Sequence, residues 1–393
     1  MVAGPLVLSA LLQLSGGQIS TYEFAIQNEE RGLVRFEQQV ASRLLEAEID
    51  PRLSLQFEDR TWSLSATYAP RLWYTSVTGR VQSLNRASVL TSLQPDPLTR
   101  LLASAIGVLG VTDLLAPTPT GLPSGVTGPN QGVGGQSRVN YVFGEFAAGV
   151  DATLTARARV VVRGAYVLDG GADAAAQVSL PLQRGPRASL TFGWQTSPDD
   201  RFDTEAAASY RTFRTRAIDP VSGELVSMPP VGIATLTETW RRTFTSKLST
   251  WAGLGGAATS VNLAPPVVDL GMEYVTEGGL RRLRLSGHYG PLVDAVTGHV
   301  FPRADVTLGA SWSSWRTWRL AADVTGGISA GGAADGPSVL SGEVRLVHGV
   351  TRELDLSIGG RGFWQHPPAD SAIVSYRQVG LFVALAYLHR DKL

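Results

Sequence analysis

The residue types that most often carry out chemistry are sparse in this sequence of 393 residues. It contains no cysteine, which excludes a disulfide scaffold, a thiolate metal site and a cysteine nucleophile. The five histidines, at positions 288, 299, 348, 366 and 389, include no pair with the spacing of metal ligands. We therefore expect no metal site and no cofactor.

Ser286 and His288 are spaced as two residues on one face of a strand, because side chains at i and i+2 of a strand point the same way. A serine hydrolase needs a hydrogen bond between two such side chains and a third group that orients the histidine. The alternative is two ordinary polar residues on a strand, and the sequence favours this alternative. We therefore expect no catalytic residues and no enzymatic activity.

Charged residues at alternating positions are the second feature with possible chemistry. The carboxylates among them could form an acid/base pair, but the neighbouring arginines favour ion pairs along a wet, polar surface. The candidates for such a pore lining are Arg157, Arg159, Arg282, Arg284, Arg303, Asp305, Arg319, Asp323, Glu353, Asp355 and Arg361. Which interpretation holds depends on the elements that carry these residues.

The overall composition is apolar and electrically neutral. Charged residues make up 17% of the chain, compared with about 25% in typical globular domains. The 34 basic residues are balanced by 34 acidic ones, so no net field attracts nucleic acid. The hydrophobic fraction of 44% excludes an intrinsically disordered chain.

Apolar and polar residues alternate with a period of two in many segments, which is typical of strands with one apolar and one polar face. Between residues 300 and 313, for example, Val306 and Leu308 fall on one face, and Arg303 and Asp305 fall on the other. Helical periodicity is scarce after the first fifty residues. The pattern therefore predicts an all-β protein.

Short turns alternate with long Gly/Pro-rich loops along the chain, as they do in bacterial outer-membrane barrels. Eight hairpins with a short turn can be placed between residues 48 and 364, followed by a last strand at 373–388. A first strand within 21–45 brings both termini to the periplasmic side, and full closure leaves no unpaired edge in the membrane. The sequence predicts a transmembrane antiparallel β-barrel of about 18 strands, or 16, with short periplasmic turns and long extracellular loops.

A soluble β-sandwich or propeller is the alternative fold. The predicted strands of 11 to 14 residues are longer than the roughly 5–6 residues usual in soluble domains. Aromatic residues also lie near strand ends on faces predicted to point outward, as in interfacial girdles: Trp62, Tyr74, Trp240, Trp251, Trp312, Trp315, Trp318, Trp364 and Tyr387. Both observations favour a barrel in the outer membrane of a Gram-negative bacterium, in contact with outer-membrane lipid.

The N-terminal residues 1–17 are apolar and end in small residues, like a secretory signal peptide that lacks its basic region. A buried N-terminal helix is the alternative. We predict a signal peptide over 1–17 and the barrel over 18–393. The longest apolar stretches, 101–109 and 381–388, are shorter than the roughly 20 residues of a membrane-spanning helix.

Two loops are long enough to fold into the barrel, which at 16–18 strands otherwise encloses an aqueous channel. The loop 117–136 has no charged residue, and its proline and glycine content is equally compatible with an external loop. The loop 169–186 is rich in alanine and leucine, which favours packing against another surface.

Several segments resemble a group of outer-membrane β-barrel porins from myxobacterial-type genomes that are associated with polysaccharide export (Wzp-like porins). The resemblance is carried by 50–55 (DPRLSL), 62–72 (WSLSATYAPRL), 170–173 (GGAD) and 180–186 (LPLQRGP). The barrel pattern covers most of the chain after residue 45, whereas these motifs cover about thirty residues. The chain departs from the general pattern of outer-membrane proteins at 389–393, which stand where a terminal aromatic residue is usual.

The resemblance implies a porin for a secreted polysaccharide, with the arginine and acidic lining as the sugar path and a separate periplasmic polysaccharide-export protein as partner. The alternatives are a general diffusion or small-solute uptake porin, and a structural or adhesive barrel whose loops plug the lumen.

Overall fold

The computed structural model of the protein describes residues 21–37, 43–76, 79–113, 138–214, 216–218, 225–261, 263–293, 299–314, 317–329, 338–366 and 375–392. The predicted signal peptide at 1–17, the loop 117–136 and Trp315 lie outside these ranges. Over the described part of the chain, no helix is long and apolar enough to span a bilayer.

Long antiparallel strands form one large sheet. The first nine are β1 (Thr21–Glu37), β2 (Arg43–Ile49 and Arg52–Glu58), β3 (Trp62–Tyr68 and Arg71–Thr75), β4 (Val81–Asp96), β5 (Thr99–Asp113), β6 (Arg138–Thr155), β7 (Ala158–Gly171), β8 (Gln183–Gln195) and β9 (Asp200–Phe213). The others are β10 (Val231–Thr245), β11 (Leu248–Thr259), β12 (Pro266–Val275), β13 (Arg281–Val293), β14 (Val300–Ser314), β15 (Trp318–Ser329), β16 (Ser338–Gly349), β17 (Leu354–His366) and β18 (Tyr376–Lys392). Helix α1 (Ala174–Ser179) lies between β7 and β8, and a small hairpin, Arg216–Ile218 with Leu225–Ser227, lies between β9 and β10.

The sheet closes on itself as a barrel of eighteen strands. Each strand pairs with the next along the chain, and β1 pairs with β18 from Glu23 opposite Lys392 to Glu37 opposite Gln378. Every strand of the barrel therefore has a hydrogen-bonded neighbour on both sides, which a sheet in hydrocarbon requires. The prediction of an antiparallel outer-membrane barrel of about 18 strands, with a first strand in 21–45, is confirmed.

The alternation of residue types explains why this sheet curves around a polar interior. On β14, Val306 and Leu308 are exposed on the outer face, where a barrel meets lipid. Their neighbours Arg303 and Asp305 point to the inner face, and Arg303 is almost completely buried there. The same division of apolar and polar residues recurs on the strands that follow.

Exposed aromatic side chains lie on the outer face near both ends of the strands, where girdles of interfacial aromatics are expected. At the short-turn end they are Trp194, Tyr274, Trp312, Trp318 and Tyr387, and at the long-loop end Tyr74, Tyr166 and Tyr210. The prediction was wrong for Trp251, which points into the barrel. It pairs with Arg241 and Gly271, while its neighbour Leu254 is exposed on the outer face.

Two neighbouring strands are interrupted by proline at the same height. Pro51 separates the two segments of β2, and Pro70 separates those of β3. The ladder between these strands passes from Ile49 opposite Leu72 to Leu53 opposite Tyr68. Proline has no amide hydrogen to donate, so both strands lose ladder bonds at one place.

Ion pairs lie beside this interruption. Arg71 pairs with the carboxylate of Glu48, which is almost completely buried, and its Nε lies 3.7 Å from Oδ1 of Asp50. A second guanidinium, that of Arg86, lies 4.0 Å from the same Asp50 oxygen. Side-chain charges therefore accompany the missing backbone hydrogen bonds.

Candidate functional site

The inner face of the barrel carries most of the charged residues that the sequence singled out. Strand register places nine of them there: Arg159 on β7, Arg282 and Arg284 on β13, Arg303 and Asp305 on β14, Arg319 and Asp323 on β15, and Asp355 and Arg361 on β17. Arg157 and Glu353 instead lie in the short turns after β6 and β16. These two residues are at the mouth of the barrel rather than on its wall.

Several of these side chains form ion pairs along the wall. Arg159 bonds Asp151 with an Nε to Oδ1 distance of 2.5 Å, and Arg319 pairs with Asp355. Near the long-loop end, the Nε of Arg303 lies 2.7 Å from Oδ1 of Asp305. Arg159 and Arg319 are about half exposed, and exposed ion pairs contribute about 0–1 kcal/mol, because water screens them, whereas Arg303 is buried. An arginine or carboxylate in the open lumen can therefore release its ion-pair partner and bind a polar solute instead at little cost.

His288 belongs to a polar cluster on the inner face. Its Nδ1 lies 2.7 Å from Oδ1 of Asp269 on β12, and Asp305 stands opposite it on β14. The other ring nitrogen, Nε2, points towards Gly290: it lies 3.0 Å from the position that a Cβ there would occupy. Ser286 is on the opposite side of His288 along the strand, so the geometry does not bring its hydroxyl to Nε2. Among the described residues, no group of three or more histidine or acidic side chains is arranged to hold a metal ion.

The loop between β7 and β8 folds into the barrel, which is the arrangement that its alanine and leucine content favours. Helix α1 and the residue after it place Ala176 and Leu180 in an apolar cluster with inward-facing residues of β3 to β7. Leu180 is 1% exposed. The wall residues of this cluster are Trp73, Leu84, Val108, Val139, Tyr141, Phe143 and Val167. The loop therefore narrows the lumen on this side.

A buried hydrogen-bond network holds the base of the loop. The Tyr141 hydroxyl donates to Asp169 over 2.8 Å, and the Gln183 amide donates to the other oxygen of Asp169 over 3.2 Å. Arg211 on β9 donates in turn to the amide oxygen of Gln183 over 3.1 Å. Buried polar groups that are satisfied in this way fix one geometry, because each member is costly to leave unpaired.

The wall of β4 to β10 also encloses a cavity of about 470 Å³. Its inward-facing lining includes the small residues Ala147, Gly149, Ala165 and Ala207, and also the charged residues Glu145, Arg163 and Arg187. The side of the lumen that holds the inward loop therefore combines small side chains with charged ones, whereas most of the lining residues predicted from the sequence lie on β13 to β17.

We expect the stability of the inward loop between β7 and β8 to depend on pH through Asp173, the N-cap of α1. Its carboxylate accepts hydrogen bonds from the Ala176 amide, at 2.8 Å, and from the Asn140 side chain. These bonds hold the pKa of Asp173 below its ordinary value. A lowered pKa in the folded state means that the stabilisation is complete above the ordinary value, about 3.9, and is lost as the pH falls through the folded value.

In planar bilayers, the wild-type channel should therefore gain open-channel current noise below about pH 4. Asp173→Ala should show that noise already at pH 7. Asp173→Asn keeps a capping oxygen and cannot titrate, so it is the control for all other carboxylates. Identical pH profiles for the wild type and Asp173→Asn would contradict this prediction.

Sequence reasoning missed three inner-face residues that matter to the site: Asp203, Arg241 and Trp251. Their strands, β9 to β11, carry small or mixed residues on both faces, so alternation does not tell which face is inside. The pairing of Asp203 with Thr239, and of Arg241 with Trp251, settles their direction in the structure.

Comparisons with known proteins agree with this architecture. The model of the EpsX exopolysaccharide export family matches residues 280–384, which run from β13 to the middle of β18. No curated protein sequence matches the chain.

Among solved structures, OccAB4 of Acinetobacter baumannii is similar with a TM-score of 0.51 and 7% identity, over 95% of this chain and 99% of that one. The outer membrane protein opdK of Pseudomonas aeruginosa has a TM-score of 0.48 and 11% identity, over 95% of this chain and 100% of that one. The copper transporter OprC has a TM-score of 0.47 and 10% identity; the match covers 93% of this chain but only 65% of OprC. The similarity to OccAB4, together with the closed antiparallel sheet, shows that the chain has the fold of an outer-membrane β-barrel.

Proposed function

We propose that the protein is a porin that conducts a secreted polysaccharide outward across the outer membrane. The observation that carries this proposal is the position of the EpsX family match. Residues 280–384 include eight of the nine predicted lining residues that lie on the inner face. The part of the chain that resembles an export family is therefore also the part that supplies most of the lining residues predicted from the sequence.

The chemistry of this wall suits a hydrated polymer. The side chains of Arg282 and Arg319 are 56% and 55% exposed, although each is ion-paired. In such weak pairs the guanidinium groups can donate hydrogen bonds to sugar hydroxyls, and the carboxylates can accept hydrogen bonds from them. The passing chain then never has to leave a polar environment.

The barrel would contact lipid through its outer face and a periplasmic polysaccharide-export protein through its short-turn end. Arg157 and Glu353, in the short turns, are charged groups that such a partner would meet first. In this proposal the protein guides a polymer, catalyses no reaction and lies in the outer membrane of a Gram-negative cell, which the apolar outer face of the barrel supports.

Deletion of the gene tests the function directly. We expect the polysaccharide to disappear from the cell surface and to accumulate in the periplasm, with recovery when the wild-type gene is returned. Surface polysaccharide at the wild-type level would overturn the proposal. If the deletion strain instead lost uptake of small solutes, the protein would be a diffusion porin. A purified barrel with no conductance would indicate a plugged, structural role.

A further inference from the structure

Trp251 lies flat against the inner wall near the short-turn end of the barrel. It is the fourth residue of β11, and its register partners are Arg241 on β10 and Gly271 on β12. The indole ring covers the inner side of Gly271, where any Cβ would collide with it. Glycine at this position therefore leaves the space that the ring occupies against the wall. The ring is half-buried and does not project across the lumen.

Two guanidinium groups flank this ring. The Cζ atoms of Arg241 and Arg284 are each 6.0 Å from the ring centroid, which is within the range of a cation–π interaction. The two arginines come from β10 and β13, on either side of the strands that carry Trp251 and Gly271. We call these four residues the Trp251 platform.

The charges around the platform do not cancel. Asp203 accepts from Arg241 over 3.0 Å and from Arg201 over 2.7 Å, and Glu273 accepts from Arg282 over 2.5 Å. Arg284 is exposed and makes no ion pair with a carboxylate of the described residues. Four guanidinium groups therefore meet two carboxylates here, an excess of two positive charges, and Arg284, which stands opposite Glu273 without an ion pair, lies beside the aromatic ring.

We propose that the Trp251 platform binds an acidic sugar residue, meaning a pyranose ring that carries a carboxylate. The proposal rests on the proposed function and names the substrate class. The negative face of an aromatic ring attracts the weakly positive C–H groups on the flat side of a pyranose. The fork of an arginine pairs with a carboxylate in two parallel hydrogen bonds. Trp251 supplies the first contact, and Arg284 supplies the second.

Position supports this role. The platform lies at the end of the barrel where the short turns are, so a polymer that enters from the periplasm reaches it early. Because the ring lies on the wall, a stacked sugar leaves the rest of the lumen open. Such a subsite orients the chain at the entrance without blocking it.

A second pair of residues provides a matched control. On the outer face at the same end, Arg281 stands opposite Trp312, with its Cζ 5.9 Å from the centre of that ring. This pair has the same cation–π geometry but faces away from the lumen. Loss of a cation–π contact can thus be separated from loss of a lumen subsite.

The test is the block of single-channel current by oligosaccharides added on the short-turn side. Oligogalacturonate is the acidic probe, and maltohexaose is the neutral probe of comparable length. We expect oligogalacturonate to block the wild-type channel more tightly than maltohexaose does. Trp251→Leu and Arg284→Gln should each weaken the acidic block by about tenfold, whereas Trp312→Leu and Arg281→Gln should leave it unchanged. Trp251→Phe keeps an aromatic face and should retain most of the block.

An acidic block that survives both Trp251→Leu and Arg284→Gln overturns the proposal. Equal block by the two probes, insensitive to Arg284→Gln, overturns the assignment to acidic sugars. Failure of the proposed function is a separate result: surface polysaccharide would then be unchanged in the deletion strain even though purified channels still show the selective acidic block.

Discussion

Replacement of residues 173–180 by a glycine/serine segment of equal length should raise the single-channel conductance by about twofold or more, because pore width governs conduction. In the native protein, α1 and Leu180 pack on the inner wall against residues such as Tyr141 and Phe143. A helix with its side chains is about 10 Å thick, which is a large part of the width that an eighteen-stranded barrel encloses. Removal of the helix opens that width to ions.

The control for this replacement is Val178→Ser. Val178 is on the same helix but is 43% exposed, so its loss leaves the packing on the wall intact. Conductance should match the wild type in this variant. If the glycine/serine replacement also conducts like the wild type, the loop does not narrow the conducting path.

Gly185→Val should lower the free energy of unfolding of the barrel and reduce the fraction of protein that refolds. The space that a Cβ would need at Gly185 is occupied by the backbone carbonyl of Tyr210 on the next strand. The pairing between β8 and β9 is interrupted here without a change of register, between Arg184 opposite Thr212 and Arg187 opposite Ser209. A side chain must therefore force two paired strands apart in a sheet that has to close. Overpacking of this kind costs about 1–3 kcal/mol in a core, and we expect the upper end here.

Refolding into phospholipid vesicles provides the measurement, with the folded fraction read from heat-modifiable migration on gels and the free energy of unfolding from urea titration. Gly164→Val is the matched control, because nothing lies within 4 Å of a Cβ at Gly164. Equal urea midpoints for the two variants would show that the strands can adjust at Gly185.

The barrel could be predicted from the sequence because its two strongest signals are local. Alternation fixes which residues of a strand share a face, and the alternation of short and long connections fixes the order of the strands. On β14 and β15 both signals are clean, so Asp305 and Asp323 could be assigned to one face before any pairing was known.

The Trp251 platform and the helical form of the inward loop could not be predicted, because both depend on contacts with the surrounding wall. On β11 both faces carry small or apolar residues, so a tryptophan near a turn resembled an interfacial aromatic. Its true direction follows from its pairing with Arg241 and Gly271. Helix α1 has only six residues, too few to give a periodic signal, and is held by its N-cap Asp173 and by packing on the wall.

Pro51 and Pro70 interrupt two adjacent strands at the same height, so the resistance of the barrel wall to deformation is uneven around its circumference. In regularly paired parts of the sheet, backbone hydrogen bonds hold neighbouring strands together, and these hydrogen bonds are insensitive to salt. At this place ladder bonds are missing on two adjacent strands, and the ion pairs of Glu48, Asp50, Arg71 and Arg86 share the tension. Dissolved ions weaken such pairs wherever water reaches them. Because Glu48 is almost completely buried and Arg71 and Arg86 are mostly so, salt weakens these pairs little, and side-chain charges join backbone hydrogen bonds in holding the wall next to the seam of the first and last strands.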